Sequence, residues 1–459
     1  MKAVWRIVLS KGELQEDMNS KILIVSTNRE QFPSPVAPVG ALQVEAELIK
    51  EGNETAFLDL CIAENAKKAL YIRLKEFKPD IVIYSIRNID NETYLKPKFY
   101  LEEVKKYVEI ARAFPNIKII VGGVGVTINP KPIFNYLHAD YGLAESGFGS
   151  LKHLIHCLGE NKLELEKIHG LLYWEEGKVC MNRLSPRNTA CVKMNWNHIL
   201  RRSDSYYYDF KGERSPPVFG LRTKTGCAFK CIHCSVPNLE GSSIRCSPCE
   251  EVTDNLKLME REYGIKQVYI TDNVFNYPYQ QAMDLCKEIC RQNLNLKWTC
   301  YLHPKEVDRD LIKMMVKAGC ESVQFGIDTA SDRLLDKWGK GFCSEDLINA
   351  SKLSKEENLR CFHSLTFGGW EETTDTVEES LDVLKEAGAR FIWGAYGVRI
   401  YPNTKLARLV GKKDASAGEY LLYPKFYLSP EFQELGLKTI ENFKRNNPQI
   451  MIKVNTGED

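Results

Sequence analysis

The sequence predicts an α/β chain: a Rossmann-like parallel sheet, then a partial (β/α)6 barrel of the TIM type, then a helical C-terminal tail. Three observations carry this. Apolar runs of strand length alternate with helical stretches twice, first over 21–160 and again over 216–410. The runs of the first block are continuously apolar, as strands covered on both faces are. Between the blocks, residues 161–215 turn polar and aromatic, with Pro186 inside and the pair Pro216-Pro217 at the end, and read as a structured linker.

Residues 1–20 are expected to form an extension or an extra edge element. Lys21–Ser26 is the first strand. After it Ala41, Leu42, Ala46, Leu48 and Ile49 recur at helical spacing, and Gly52 ends that helix. Strands follow at 55–58, 81–85 and 117–121. Ligands of such sheets bind beyond the carboxyl ends of the strands. In the linker, Leu171 to Val179 reads as a small hairpin. Barrel strands are expected at 218–223, 267–271, 296–302, 322–327, 360–367 and 391–400, with chemistry at their C-terminal ends. Ser247-Pro248-Cys249-Glu250 reads as a capping box with Pro at the first helical position. Thr373 to Ala387 carries Val377, Leu381 and Leu384 on one face and stops at Gly388. Residues 411–459 complete the chain as a helical region.

At 459 residues the chain fits about three domains of roughly 150 residues. A net charge of +1 supplies no field toward nucleic acid or anionic lipid, so neither is an expected partner. No run reaches the roughly 18 apolar residues of a membrane span. Residues 1–16 lack the apolar core and cleavage site of a signal peptide. Fifteen cysteines without such a signal point to a reducing compartment, and a cytoplasmic location is expected.

The most informative motif is Cys227-Ala-Phe-Lys-Cys231-Ile-His-Cys234. Three thiolates can hold three irons of a four-iron cluster. The fourth iron then lacks a protein ligand and is open to a small molecule, a position for chemistry rather than scaffolding. Zinc would want a fourth Cys or His at hand, and His233 cannot easily join both flanking thiols on one ion. Buried apolar cysteines are the other reading, against which the tight spacing beside Gly226 speaks.

With these thiols after the first barrel strand, the chain resembles the radical S-adenosylmethionine (SAM) superfamily. The resemblance implies a [4Fe–4S] cluster on Cys227, Cys231 and Cys234, with SAM beside it. Ile270 to Asn276 is similar to the segment after the second barrel strand, where Asp272 is implied to receive the amino group of SAM. Gly326 to Ser331, continued by Trp338-Gly339-Lys340-Gly341, is similar to the segment that reaches the ribose, which implies Asp328 and Ser331. Phe367 to Thr373 resembles the turn along which adenine packs, through Gly368 and Gly369. A carboxylate suits an ammonium or a ribose diol, and glycine admits close backbone approach. Taken singly, Asp272 or Asp328 reads equally well as a helix cap.

An α/β unit ahead of such a barrel resembles the cobalamin-binding branch of that superfamily, which includes the class B methylases. The matching turns are Pro35 to Leu42, with Pro38 and Gly40; Ser85 to Asp90, with Arg87 and Asn88; and Gly122 to Thr127, with Gly122, Gly123 and Thr127. Glu145 opens a further glycine turn. These residues are the implied cobalamin contacts; a dinucleotide or flavin site, or an empty domain, remain alternatives. No histidine precedes His138, so the axial imidazole of many cobalamin modules is absent. Arg87 is expected under or beside the corrin, where a cation cannot ligate cobalt; the alternative is an ordinary pair with Asp90.

Cys246 and Cys249 form C-x-x-C at a helix start, where a thiol pKa can be lowered. Capping and packing explain them better than a second cluster. Cys343 is a candidate to face the site. Tyr206, Tyr207 and Tyr208 form an exposed or substrate-facing aromatic cluster. The implied function is cobalamin-dependent radical SAM methylation of an unactivated carbon or phosphinate, through a 5′-deoxyadenosyl radical and methylcobalamin. It implies a small-molecule or peptide substrate and an external one-electron donor such as flavodoxin or ferredoxin. Two alternatives stand: a cyclase or rearrangement enzyme with the same cofactors, and a non-catalytic cobalamin sensor. A tRNA-methylthiolating enzyme is disfavoured, since its N-terminal domain carries three cluster cysteines and Cys61 is the only cysteine here before Cys157.

Overall fold

The structure is a computed structural model and describes residues 20–31, 35–144, 148–160, 164–185, 194–206, 208–210, 213–215, 218–411 and 421–455. Glu145, Pro186, Pro216, Pro217 and Tyr207 lie outside the described residues, as does all but the last residue of the 1–20 extension. Two seven-stranded sheets organise the chain. The first contains β1 (Lys21–Ser26), β2 (Glu54–Asp59), β3 (Ile81–Ser85), β4 (Lys118–Gly122), β5 (Tyr141–Leu143), β6 (Leu171–Glu175) and β7 (Lys178–Met181). Its order is β2-β1-β3-β4-β5-β6-β7. β1 to β5 run parallel, and the β6–β7 hairpin adds on antiparallel. The hairpin read as part of the linker therefore completes the first sheet, because Leu171 and Leu172 are buried against it.

The helix Val39–Lys50 buries Ala41, Leu42, Ala46 and Leu48. Ile49, counted with them from spacing, is exposed. Gln43 and Glu45 are buried instead, because they hold the linker. The Gln43 side-chain oxygen accepts from the Asn195 amide at 2.6 Å, and the Glu45 carboxylate takes His198 and Arg202, each at 2.8 Å. The short helix Trp196–Leu200 then sends Trp196, Ile199 and Leu200 into the barrel's core. Tyr206 is buried too, donating to Asp59 at 2.9 Å, so it is not part of an exposed aromatic cluster.

After the hairpin β8 (Tyr208–Phe210) and β9 (Glu213–Ser215) come β10 (Phe219–Leu221), β11 (Lys224–Thr225), β12 (Arg245–Cys246), β13 (Gln267–Ile270), β14 (Lys297–Leu302), β15 (Cys320–Asp328), β16 (Arg360–Phe367), β17 (Phe391–Tyr396), β18 (Val398–Arg399), β19 (Phe426–Tyr427) and β20 (Met451–Asn455). The second sheet is parallel in the order β10-β13-β14-β15-β16-β17-β20. All six expected barrel strands are present. The C-terminal region supplies the helix Leu437–Asn446 and, beyond it, a seventh strand that the sequence reading missed. That strand is short, and Lys453 and Asn455 break its apolar pattern. The expected strand 391–400 is split: at Gly397 the chain takes φ +75°, and β18 turns away to pair with β19. Pro248 is the N-cap of the helix Cys249–Lys257 without a capping hydrogen bond, so the expected capping box does not form. The Ser247 amide donates to the Thr223 carbonyl instead. Thr373 does cap the helix Thr374–Glu386.

Burial alternates along the barrel strands. Val268, Ile270, Cys300, Val323, Phe325 and Leu365 enter the core beneath the helices. Tyr269, Tyr301, Gln324, Ser364, Thr366 and Trp393 occupy the alternate positions, which face the lumen, and are half-buried. A filled TIM barrel packs its lumen with branched apolar side chains; this one presents aromatic and polar groups. Among the described residues no helix is long and apolar enough to cross a membrane.

Candidate active site

Cys227, Cys231 and Cys234 share one loop between β11 and the helix Val236–Glu240. Gly226 starts that loop at φ +88°, where a Cβ would come within 2.2 Å of the Ser243 carbonyl. The Cys227 amide donates to the Gly241 carbonyl (3.2 Å) and the Cys234 amide to the Cys231 carbonyl (3.2 Å). A second segment straps the loop down: the Ile232 amide donates to the Trp338 carbonyl at 3.0 Å, and a Cβ on Gly339 would lie 2.8 Å from the Lys230 carbonyl. Phe229 stacks on His303 with ring centroids 3.9 Å apart, and His303 Nε2 meets the Lys340 carbonyl at 2.8 Å.

Burial pushes all three thiols up, Cys234 to about 12, while the Lys340 ammonium opposes this at Cys227 and Cys231. Such thiols stay protonated and inert unless a metal displaces the proton. Among the described residues no three His, Cys, Asp or Glu side chains close on a single ion. Three thiols on one loop fit a cluster, in which each thiolate would take a different iron.

Asp328 ends β15 with φ +62°. Its Oδ2 accepts from Lys340 Nζ at 2.5 Å and meets His233 Nε2 at 3.2 Å, and its Oδ1 accepts from Thr366 at 3.1 Å. Burial alone would raise this carboxyl, but Lys340 and His233 more than reverse it and hold it well below the usual range. Asp328 thus belongs to the cluster loop's surroundings.

The other expected SAM contacts are placed differently. Asp272 is buried, and its carboxylate accepts from the Thr223 amide (2.7 Å), the Thr223 hydroxyl (2.5 Å) and the Lys224 amide (3.1 Å). It fastens the turn after β10 and does not present a free oxygen to an ammonium. Its neighbour Asn273 reaches the cluster loop instead, donating to the Gly226 carbonyl (3.2 Å) and to Glu240 (2.8 Å). Ser331 is also buried and donates to Glu379 at 2.5 Å, because it opens the helix Asp332–Lys337 facing inward. Gly368 and Gly369 donate their amides to Glu372. A Cβ on Gly368 would lie 2.2 Å from Leu428, and one on Gly369 2.2 Å from the Trp338 ring. These glycines admit the chain's own side chains. Burial pushes Glu372 up to about 8.

Cys343 caps the helix Ser344–Glu356, with Asp346 completing the box. Cys249 is raised by burial, not lowered by its helix. Sequence reasoning quoted Asn273 and Lys340 inside segments likened to SAM-binding turns and weighed His233 only against zinc, giving none of them a role, and it passed over Arg399. Lys340 stands between two glycines, both at positive φ.

At the carboxyl edge of the first sheet, Pro38 precedes the helix Val39–Lys50 and a Cβ on Gly40 would meet nothing within 4 Å. Val36, Ile62, Leu95 and Val124, from the loops after β1, β2, β3 and β4, are 38%, 49%, 46% and 46% exposed. Gly122 ends β4; Gly123 has φ +98°, where a Cβ would come within 2.5 Å of the Ile86 carbonyl, and Thr127 bonds back to that turn. Asn88 is half-buried and Arg87 exposed. Arg87 has no hydrogen-bond or ion-pair partner among the described residues. The Asp90 carboxylate that was its alternative partner is taken by Arg399, at 2.9 Å. An open apolar rim around a glycine turn suits a large, partly apolar cofactor such as cobalamin.

The two carboxyl edges face each other. The loop after β3 docks where the barrel chain leaves β17: Asp90 pairs with Arg399, Tyr401 donates to Glu92, and Tyr94 packs 5.4 Å from Tyr396 and 5.8 Å from Phe426. The short helix Val124–Ile128 after β4 packs on the helix that follows Cys234.

Comparison with known proteins agrees on both halves. Residues 221–390 match the radical SAM superfamily, and residues 26–152 match the B12 binding domain. The chain carries a B12 binding domain followed by a radical SAM domain. The cofactors of such a protein are a [4Fe–4S] cluster, SAM and cobalamin. It is 27% identical over 372 residues to an uncharacterized methyltransferase of Pyrococcus horikoshii, covering 80% of this chain and 77% of the relative. It is 22% identical over 454 residues to tryptophan 2-C-methyltransferase of Streptomyces laurentii, covering 86% and 76%. Its fold is similar to that of the radical SAM methyltransferase TsrM from Kitasatospora setae with cobalamin and [4Fe–4S] cluster bound, at a TM-score of 0.80 and 21% identity, covering 95% and 93%.

Proposed function

We propose that this protein is a cobalamin-dependent radical SAM methyltransferase acting on an unactivated carbon, or a phosphinate, of a small-molecule or peptide substrate held in the barrel lumen. It works in the cytoplasm with an external one-electron donor such as flavodoxin or ferredoxin. The observation that carries this reading is the contact between the two carboxyl edges: the loop after β3 docks on the chain leaving β17, and the helix after β4 packs on the helix that follows Cys234. The methyltransferase names of the similar proteins support methyl transfer over rearrangement.

When bound, the three cofactors supply an electron, a methyl and radical source, and a methyl carrier. The chain supplies the rest. Cys227, Cys231 and Cys234 would hold three irons and leave one open. Pro38, Gly40, Arg87, Asn88, Gly122, Gly123 and Thr127 form the cobalamin side within residues 21–160. Arg87, which cannot ligate a metal, would stand on the cobalamin side as a cation that offers cobalt no ligand. Asp328 stands at the rim between the cysteine loop and the lumen, already ionised and oriented by Lys340, His233 and Thr366. Tyr94, Tyr396 and Phe426 pack together at the joint between the two edges.

Anaerobically reconstituted protein, given methyl-labelled SAM and a panel of candidate substrates, is expected to place label first in cobalamin and then in a product heavier by one carbon. Substrate consumed without label in the product would mean rearrangement. Neither turnover nor 5′-deoxyadenosine would leave a binding protein.

A further inference from the structure

We propose that Lys340 is a fixed internal cation that raises the reduction potential of the cluster, with Asp328 and His233 as its positioning partners. The proposal rests on reading Cys227, Cys231 and Cys234 as cluster ligands. Lys340 is only 6% exposed, yet its ammonium is fully determined: it donates to Asp328 Oδ2 at 2.5 Å and to the Gly326 carbonyl at 2.9 Å. Two independent ties join it to the cysteine loop. One is the backbone strap, through Trp338 on Ile232 and Gly339 against Lys230. The other is a side-chain bridge, since the Asp328 oxygen that holds Lys340 also meets His233, which sits between Cys231 and Cys234, at 3.2 Å.

Bringing a lysine this deep costs desolvation that an apolar side chain would avoid, so stability alone does not account for it. These ties set the ammonium beside the loop that carries the three sulfurs. The other carboxylate near Cys227, Glu240, is answered by Arg222 at 3.0 Å. Reduction adds one electron to the cluster and nothing else, so a nearby positive charge favours the reduced form. Charge, hydrogen bonding and burial are the levers that tune such clusters, and a buried site transmits the field more strongly than water does.

The test is an anaerobic redox titration of the reconstituted holoenzyme followed by electron paramagnetic resonance, with no substrate or turnover. Lys340→Met is expected to lower the reduced-to-oxidised ratio at a fixed potential about tenfold, a midpoint shift of about 59 mV for one electron. Lys340→Arg is expected to stay near the wild type. Asp328→Asn, which removes the anion and keeps the cation, is expected to shift the midpoint the opposite way. Loss of a merely structural bond would act alike on both halves of the pair. If either single variant fails to hold iron, the double variant Lys340→Met/Asp328→Asn removes the pair without orphaning a charge and is expected to fall below the wild type by less than tenfold. Equal midpoints in all cluster-bearing proteins overturn the proposal. A wild type with no reducible cluster overturns the reading beneath it instead.

Discussion

At the barrel's edge Asp328, Lys340, Asp272 and Glu372 are all answered from within the chain, whereas at the first sheet's edge Arg87 has no partner among the described residues and Val36, Ile62, Leu95 and Val124 are 38–49% exposed. The difference follows from what each edge holds. A cluster fixed by three thiolates needs ligands at set positions, and a buried charge beside it must be paired or it will neutralise. A large organic cofactor is held by area and shape, so its site is an uncovered surface until the cofactor arrives.

Removing a covalent anchor breaks the barrel's edge outright. Cys231→Ala is expected to lose the cluster and drop activity to background, read as iron per chain and product formed. Next in size is the joint between the edges. Arg399 and Asp90 are 5% and 0% exposed at their side chains, and removing one partner of a buried pair costs about 3–5 kcal/mol. Arg399→Ala should show that loss in denaturant unfolding, while Arg399→Met with Asp90→Leu should recover most of it.

Glu372 tests the pairing rule through pH. Burial raises its folded pKa to about 8 from the ordinary 4.5. Between those values the folded chain keeps a proton that the unfolded chain has released, so stability falls as pH rises through that window. Relative to Glu372→Gln, the wild type should lose up to about 1.4 kcal/mol per pH unit there and level off above about pH 8. A flat difference would show that the carboxyl is ionised in place. The smallest effects separate the two kinds of glycine. Gly369→Ala should cost about 1–3 kcal/mol by overpacking Trp338. Gly40→Ala should change stability by less than about 0.5 kcal/mol, whereas Gly40→Trp should weaken cobalamin binding in a spectral titration.

The cysteine loop was legible because its ligands are local in sequence and chemically distinctive. The barrel strands were legible because apolar runs at regular spacing have few other uses. Asp272 and Ser331 read as SAM contacts because they follow strand ends in the expected order. Their side chains turn inward to Thr223 and Glu379, and sequence spacing carries no side-chain direction at a strand end. The Asp90–Arg399 pair joins residues 309 apart, beyond any local pattern. β20 escaped because a five-residue strand with Lys453 in its middle has too little periodicity to stand out.

The most direct test of the central claim is Mössbauer spectroscopy of protein reconstituted anaerobically with isotopically enriched iron and cobalamin, before and after adding SAM. Four irons per chain are predicted, one of them distinct and the one that responds to SAM, with all four lost in any single Cys→Ala variant of the loop. Four equivalent irons indifferent to SAM, or zinc bound in their place, would contradict the account.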